Sequence, residues 1–274
     1  MKTPLSESAL NYAILSILAL IVIFPLLGMA TLAFQPEGLR AGQLTFPPSF
    51  TLDTILHAWE AGSFATALRS SAVTAGSTTV ITVTVAVLAG YAFGTMRMRF
   101  SSILFSLFLA GLIVPLEAYV VPLYYQLRTM SLLDTLPGLV GPLSAHLLPF
   151  GIFWMRAQFR TTPRALIEAA QLDGAGSWAV LRYVLLPIAR PAISSLGVLT
   201  FLWAWNDFLL TLIVISSNDL RTAPLQLGLF VGVHSSDTSA LAAAALIVSV
   251  PVLVIYVLFQ RQLIQGLLEG GVKE

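Results

Sequence analysis

The feature that most constrains this chain is where its charges are missing. Asp, Glu, Lys and Arg are absent from Ser8 to Pro36, Ser70 to Met96, Thr135 to Met155 and Thr238 to Gln260. Two further windows, Ser101 to Leu127 and Pro191 to Asn218, are each broken by a single acid, Glu117 and Asp207. A helix needs about 20 mainly apolar residues to cross a hydrocarbon layer roughly 30 Å thick. Six such windows predict six membrane-spanning helices, over about 12–33, 70–95, 102–125, 136–157, 191–214 and 238–260. The expected fold is all-α, a polytopic membrane protein forming one transmembrane domain over 1–274. Lys2 before the first apolar run has the outline of a signal peptide. That run exceeds the roughly 7–15 residues of a signal core, so an uncleaved anchor is expected.

Composition closes off the soluble alternatives. Charged residues make up 10% of the chain where a soluble domain carries about 25%, and the mean hydropathy is +0.87. A net charge of +1 supplies no field for nucleic acid. Without cysteine there is no disulfide, thiolate metal site or thiol nucleophile. The histidines, His57, His146 and His234, are too scattered for a metal cluster. Both lysines, Lys2 and Lys273, are terminal. The lysine-bearing P-loop that cradles ATP phosphates is therefore excluded, and ATP-derived energy has to come from another chain.

Orientation follows from the basic residues. Ten of the 14 fall on one side of a six-span thread: Lys2, Arg97, Arg99, Arg156, Arg160, Arg164, Arg182, Arg190, Arg261 and Lys273. Four fall on the other: Arg40, Arg69, Arg128 and Arg221. The positive-inside rule puts the first set, and both termini, in the cytoplasm. Outside, the loop from Gln35 to Leu68 carries Pro47, Pro48 and an amphipathic stretch at Leu52, Ile55, Leu56 and Trp59, read as interfacial.

The most polar inner segment, 159–190, is longer than a compact bundle needs, which marks it as functional. Its residues read as helix–turn–helix. Thr162 is placed to cap the first helix with Pro163 at its first position. Asp173-Gly174 is placed to stop it through a left-handed glycine. Ser177 is placed to cap the second, with Trp178, Leu181 and Leu185 on one face and Pro187 closing it. A DNA-reading helix pair does not suit a segment tethered at both ends to spans. A surface helix pair and a docking knob for a soluble partner both remain open on these grounds.

Glu168-Ala169-Ala170-Gln171-Leu172-Asp173-Gly174-Ala175, followed by Leu186-Pro187 and Pro191, resembles the EAA loop of ATP-binding cassette (ABC) importer permeases. Phe150-Gly151-Ile152-Phe153, Trp205-Asn206-Asp207-Phe208 and Leu220-Arg221-Thr222-Ala223-Pro224 extend the likeness toward the carbohydrate-uptake branch, as does the tail from Phe259 to Lys273. Within it the chain is similar to the smaller, maltose-permease-like subunit. The resemblance implies the type I importer fold, a prokaryotic inner-membrane location and transport of a sugar or related solute. It implies partners too: a second permease subunit, two ATPase subunits holding ATP and Mg, and an extracytoplasmic solute-binding protein. Glu168, Ala169, Ala170, Asp173, Gly174, Ala175, Leu186 and Pro187 would then form the ATPase-coupling element, with no catalytic residue or cofactor on this chain.

Intramembrane acids are functional candidates by default. A rise of 1.5 Å per residue puts Glu117 roughly 22 Å and Asp207 roughly 24 Å above the inner edge of their spans, in the outer half of the membrane. Glu117, Tyr119, Trp205, Asn206 and Asp207 are the expected pathway or gate residues, with Trp205 and Tyr119 able to stack on a sugar. Aromatic belts at the membrane interface account for the same residues without a ligand. A self-sufficient secondary transporter would need ion-coupling groups on paired interrupted helices, and these two acids do not supply them.

Overall fold

The computed structural model describes residues 5–36, 50–96, 98–233 and 237–271. Lys2, Arg40, Pro47, Pro48, Arg97, His234, Val272 and Lys273, used above, lie outside them. Twelve helices follow in order: α1 (Leu5–Ala33), α2 (Asp53–Ala61), α3 (Phe64–Thr95), α4 (Ser101–Ile113), α5 (Leu116–Thr129), α6 (Leu136–Thr161), α7 (Arg164–Leu172), α8 (Ser177–Ala179), α9 (Leu186–Trp205), α10 (Leu209–Val214), α11 (Ala223–Val233) and α12 (Thr238–Gly271). A π turn, Val180–Leu185, joins α8 to α9. Among the described residues five helical runs are long and apolar enough to span a membrane, six if the bent pair α4–α5 is counted as one broken span. Two compact units result, 1–65 with 226–251 and 66–225 with 252–274.

In the first unit, α1 exposes Leu15, Leu20 and Phe24, a surface that suits lipid and not water. Its end is tied to α2. Thr54 donates its hydroxyl to the Gln35 carbonyl at 2.6 Å, and the Thr51 N–H bonds the Phe34 carbonyl at 2.9 Å. The α2 helix exposes Leu52 before it and Leu56 and Trp59 within it. Phe64 and Phe230 rings lie 6.1 Å apart in the same unit.

The second unit is organised by a close approach of α3 and α6. A Cβ added at Gly90 would sit 2.5 Å from Met155 Cβ; at Gly94, 3.0 Å from Phe159 Cβ; at Gly151, 2.8 Å from Ala86 Cβ. Ala86, Gly90 and Gly94 thus form a small-residue ridge at four-residue spacing against Gly151, Met155 and Phe159. In lipid, where apolar transfer gives helices no reason to associate, such backbone proximity supplies the packing energy. Arg156 adds a polar staple: its Nε donates to the Phe93 carbonyl at 3.3 Å and its guanidinium lies 3.8 Å from the Phe105 ring centre, an attraction that gains from desolvation.

Two spans depart from a single straight helix, one of them at Pro115, where the proline itself predicts a kink. The third is broken at Val114-Pro115, where α4 and α5 turn through 98°. Pro115 forces Val114 out of the helical region, to φ −79° and ψ 112°. The fifth does not start at Pro191. It runs unbroken for 29 residues from Ser177 to Trp205, about 43 Å of helix. Pro187 therefore does not close a loop helix. It sits in the first turn of α9, directly after the π turn, a position where a proline is tolerated.

Candidate functional site

The segment after α6 is held by its apolar side. Val180, Leu181, Leu185 and Ala189 are buried with Tyr91, Met155 and Phe159, and Ile167, Ala170 and Ala175 pack against this cluster from the loop. The Tyr91 ring meets Phe159 edge-on at 6.3 Å, and its hydroxyl donates to the Ser177 carbonyl at 2.9 Å. α7 is thereby mounted on the transmembrane core through Ile167 and Ala170, three residues apart. Its other side, Leu166, Glu168, Ala169, Gln171 and Leu172, is exposed, Leu172 at 90%. An exposed leucine at the tip of a nine-residue helix gains nothing from folding. No feature of the motif marks Leu172, whose recognisable residue is Glu168, four positions before it on the same face.

The exit from α7 is a Schellman closure. Ala175 N–H bonds the Ala170 carbonyl at 2.9 Å, and Gly174 N–H bonds Gln171 at 3.0 Å, the paired pattern that satisfies a helix's last carbonyls. Gly174 has φ +86°, where a side chain would clash with the backbone. Asp173 is the residue at the helix end. The expected caps differ: Pro163 and Gly176 occupy the cap positions of α7 and α8, with no side-chain cap bond. Thr162 instead ends α6 and is buried. Ser177 contributes its carbonyl to Tyr91, as above. Leu186 is partly buried against the core while Pro187 is exposed.

The residues expected at a pathway or gate divide. Glu117 is exposed in the first turn of α5, just past the bend, so a straight-helix rise does not describe its depth. Tyr119 Oη and His146 Nδ1 are 2.8 Å apart, joining α5 to α6. Asp207 lies in the break between α9 and α10, beyond the end of the 29-residue run. Its Oδ2 accepts from the Thr211 N–H at 3.0 Å and the Thr211 hydroxyl at 2.9 Å, capping α10. Asn206 Nδ2 donates to the Leu202 carbonyl at 2.8 Å, satisfying the end of α9. Trp205 does not offer a face to a solute: it is 3% exposed and stacked on Phe201 at 5.7 Å. Tyr119 and His146 are what the fold brings together, while the carboxylate of Asp207 is bonded to Thr211.

One further structure had no sequence signal. Asp134 Oδ1 accepts from the Ser216 and Ser217 N–H groups at 3.0 and 2.9 Å and from the Ser217 hydroxyl at 2.9 Å. Its own N–H donates to the Val214 carbonyl. These bonds hold its carboxyl below the ordinary carboxylate range. Its φ of +57° is one that Asp tolerates better than most residues.

With this geometry in view, comparison with known proteins decides the family. Residues 82–268 match the model of the binding-protein-dependent transport system inner membrane component. The chain belongs to that family. This permease is 31% identical over 253 residues to the trehalose transport system permease protein SugB of Mycobacterium tuberculosis, covering 92% of each chain. It is 29% identical over 266 residues to the diacetylchitobiose uptake system permease protein NgcG of Streptomyces coelicolor, covering 96% of this chain and 88% of that one. Its fold matches a chain of a bacterial ABC transporter that imports alginate, with a TM-score of 0.79 at 19% identity over 95% of this chain and 99% of the other. The resemblance carried by the loop is thus shown: the chain is a multi-pass inner-membrane permease component of an ABC importer, with the type I fold.

Proposed function

We propose that this permease forms, with a second permease subunit, the pathway of a sugar importer. In this reading solute arrives from an extracytoplasmic binding protein, and two ATP-binding cassette subunits, holding ATP and Mg, drive the cycle. The relatives' names, trehalose and diacetylchitobiose permeases among them, support the solute class. The basic-residue bias, with both termini in the cytoplasm, supports the orientation.

The observation that carries the reading is the division of α7 into a mounted side and an open side. Ile167 and Ala170 fix the helix to the core, leaving Glu168, Ala169 and Leu172 for a cleft of the ATPase. Glu168 meets basic or backbone donors, Ala169 permits close approach, and Leu172 fills an apolar socket. Asp173, Gly174 and Ala175 form the turn that returns the chain to the core, and Leu186 and Pro187 carry it into the fifth span. At the outer end, Tyr119 and Asp207 belong to the gate with His146, and Glu117 and Asn206 line its rim.

The test is co-purification of the ATPase with permease carrying Glu168→Ala, Leu172→Ala or Gly174→Val, alongside solute uptake. Each should lose uptake, and the first two should release the ATPase while the permease stays folded. Full ATPase retention and full uptake in both would overturn the reading.

A further inference from the structure

Among the described residues no arginine is ion-paired with a carboxylate, and two of them, Arg182 and Arg190, border one groove. Arg182 and Arg190 line an open groove of about 490 Å³ with Tyr183, Leu186, Pro187 and Ile193. Arg182 has a neighbouring ring, Tyr183, at 5.8 Å. Both arginines, Tyr183 and Pro187 are exposed. On a straight α-helix, positions eight apart stand about 80° out of line. The π turn at Val180–Leu185 advances less per residue and reduces that offset, so both guanidiniums border one groove. Insertions of this kind recur at functional sites.

We propose that this groove holds the phosphate of an anionic phospholipid of the cytoplasmic leaflet. The inference rests on the orientation proposed above, which puts the lower end of the fifth span at that surface. Charge selects the occupant: two unneutralised guanidiniums suit a phosphate, which they bind in forked geometry. Position selects a lipid over a soluble anion. The groove floor, Leu186 and Ile193, is apolar, and Trp178 and Tyr183 stand exposed on the same stretch, the aromatic composition of a membrane interface. Basic pockets on the cytoplasmic side of spanning helices bind such headgroups. The phosphate would lie between Arg182 and Arg190, with an acyl chain running up past Ile193.

The experiment uses the assembled importer in phosphatidylcholine nanodiscs with and without phosphatidylglycerol, and counts retained phosphatidylglycerol by native mass spectrometry. Arg182→Gln and Arg190→Gln should each lower retention about fivefold, the factor equivalent to the roughly 1 kcal/mol of a basic side chain near an anionic leaflet. The double variant should lower it further and Arg190→Lys less, with Arg128→Gln unchanged. Wild-type retention in the double variant would overturn the proposal. So would release of the ATPase subunits with lipid retention intact, which would assign the arginines to a protein carboxylate. Orientation is read separately. In this cysteine-free chain, Met130→Cys should react with an impermeant maleimide in intact cells; reaction only in inverted vesicles would refute the orientation and not the groove's affinity for phosphate.

Discussion

The chain leaves the helical region at two corners of the second unit that are built from opposite materials. The corner around α7 is fixed by carbon: Ile167, Ala170 and Ala175 sit on a buried apolar cluster, and the polar groups of Glu168 and Gln171 face outward. The corner at Asp134 is fixed by hydrogen bonds, and one carboxylate oxygen takes three donors from Ser216 and Ser217. The first corner keeps its polar groups for others. The second spends them on itself. Apolar mounting therefore goes with a surface meant to be recognised, and a closed polar clasp with a joint that is complete alone.

The largest expected effect tests the apolar mount. Leu185→Ala empties a fully buried site and should cost about 2–5 kcal/mol. Amide exchange over 164–172 should quicken while that of 214–217 stays as it was. Equal acceleration at both corners would erase the distinction. Next is Gly174→Val, which forces a β-branched residue into a left-handed conformation at about 1–2 kcal/mol. Thermal denaturation of the purified permease reads the cost, and Gly174→Asn should recover part of it.

The clasp should respond to acid, and weakly. The folded carboxyl of Asp134 titrates below its unfolded value. Its stabilisation is therefore complete above the unfolded carboxylate range and disappears as pH falls through the lowered folded value. Asp134→Asn should flatten the acid limb of a melting-temperature profile between those values. The loss near neutrality should be about 1 kcal/mol or less, since solvent screens the site. The smallest effect is Thr162→Val, expected within about 0.5 kcal/mol of wild type. A loss near the roughly 1 kcal/mol of a true cap would restore the capping role that the geometry denies to Thr162.

Much of this was legible because its causes are local. Charge-free windows locate spans whatever their neighbours do, and Asp173-Gly174 ends a helix for reasons contained in those residues. The misreadings have non-local or compensated causes. Pro187 reads as a stop, yet it stands in the first turn of α9, directly after a π turn six residues long. Pro115 reads as a kink, but the 98° between α4 and α5 is set by what each half packs on. Val120 and Leu127 of α5 are buried with Leu139, Leu143 and Leu210 from distant helices. Trp205 reads as a ligand platform and is instead a core residue, because its ring finds Phe201 one turn back. Asp134 carries no motif at all; its donors are more than 80 positions away.

The absence of a stop at Pro187 has a mechanical consequence. From Ser177 to Trp205 the chain is one axle, anchored at its foot by the Tyr91 bond and ending beside Asp207. A twist applied at the foot has no joint in which to dissipate before it reaches the far side of the bilayer. The π turn at its foot and Pro191 within α9 are both carried inside that run without interrupting it.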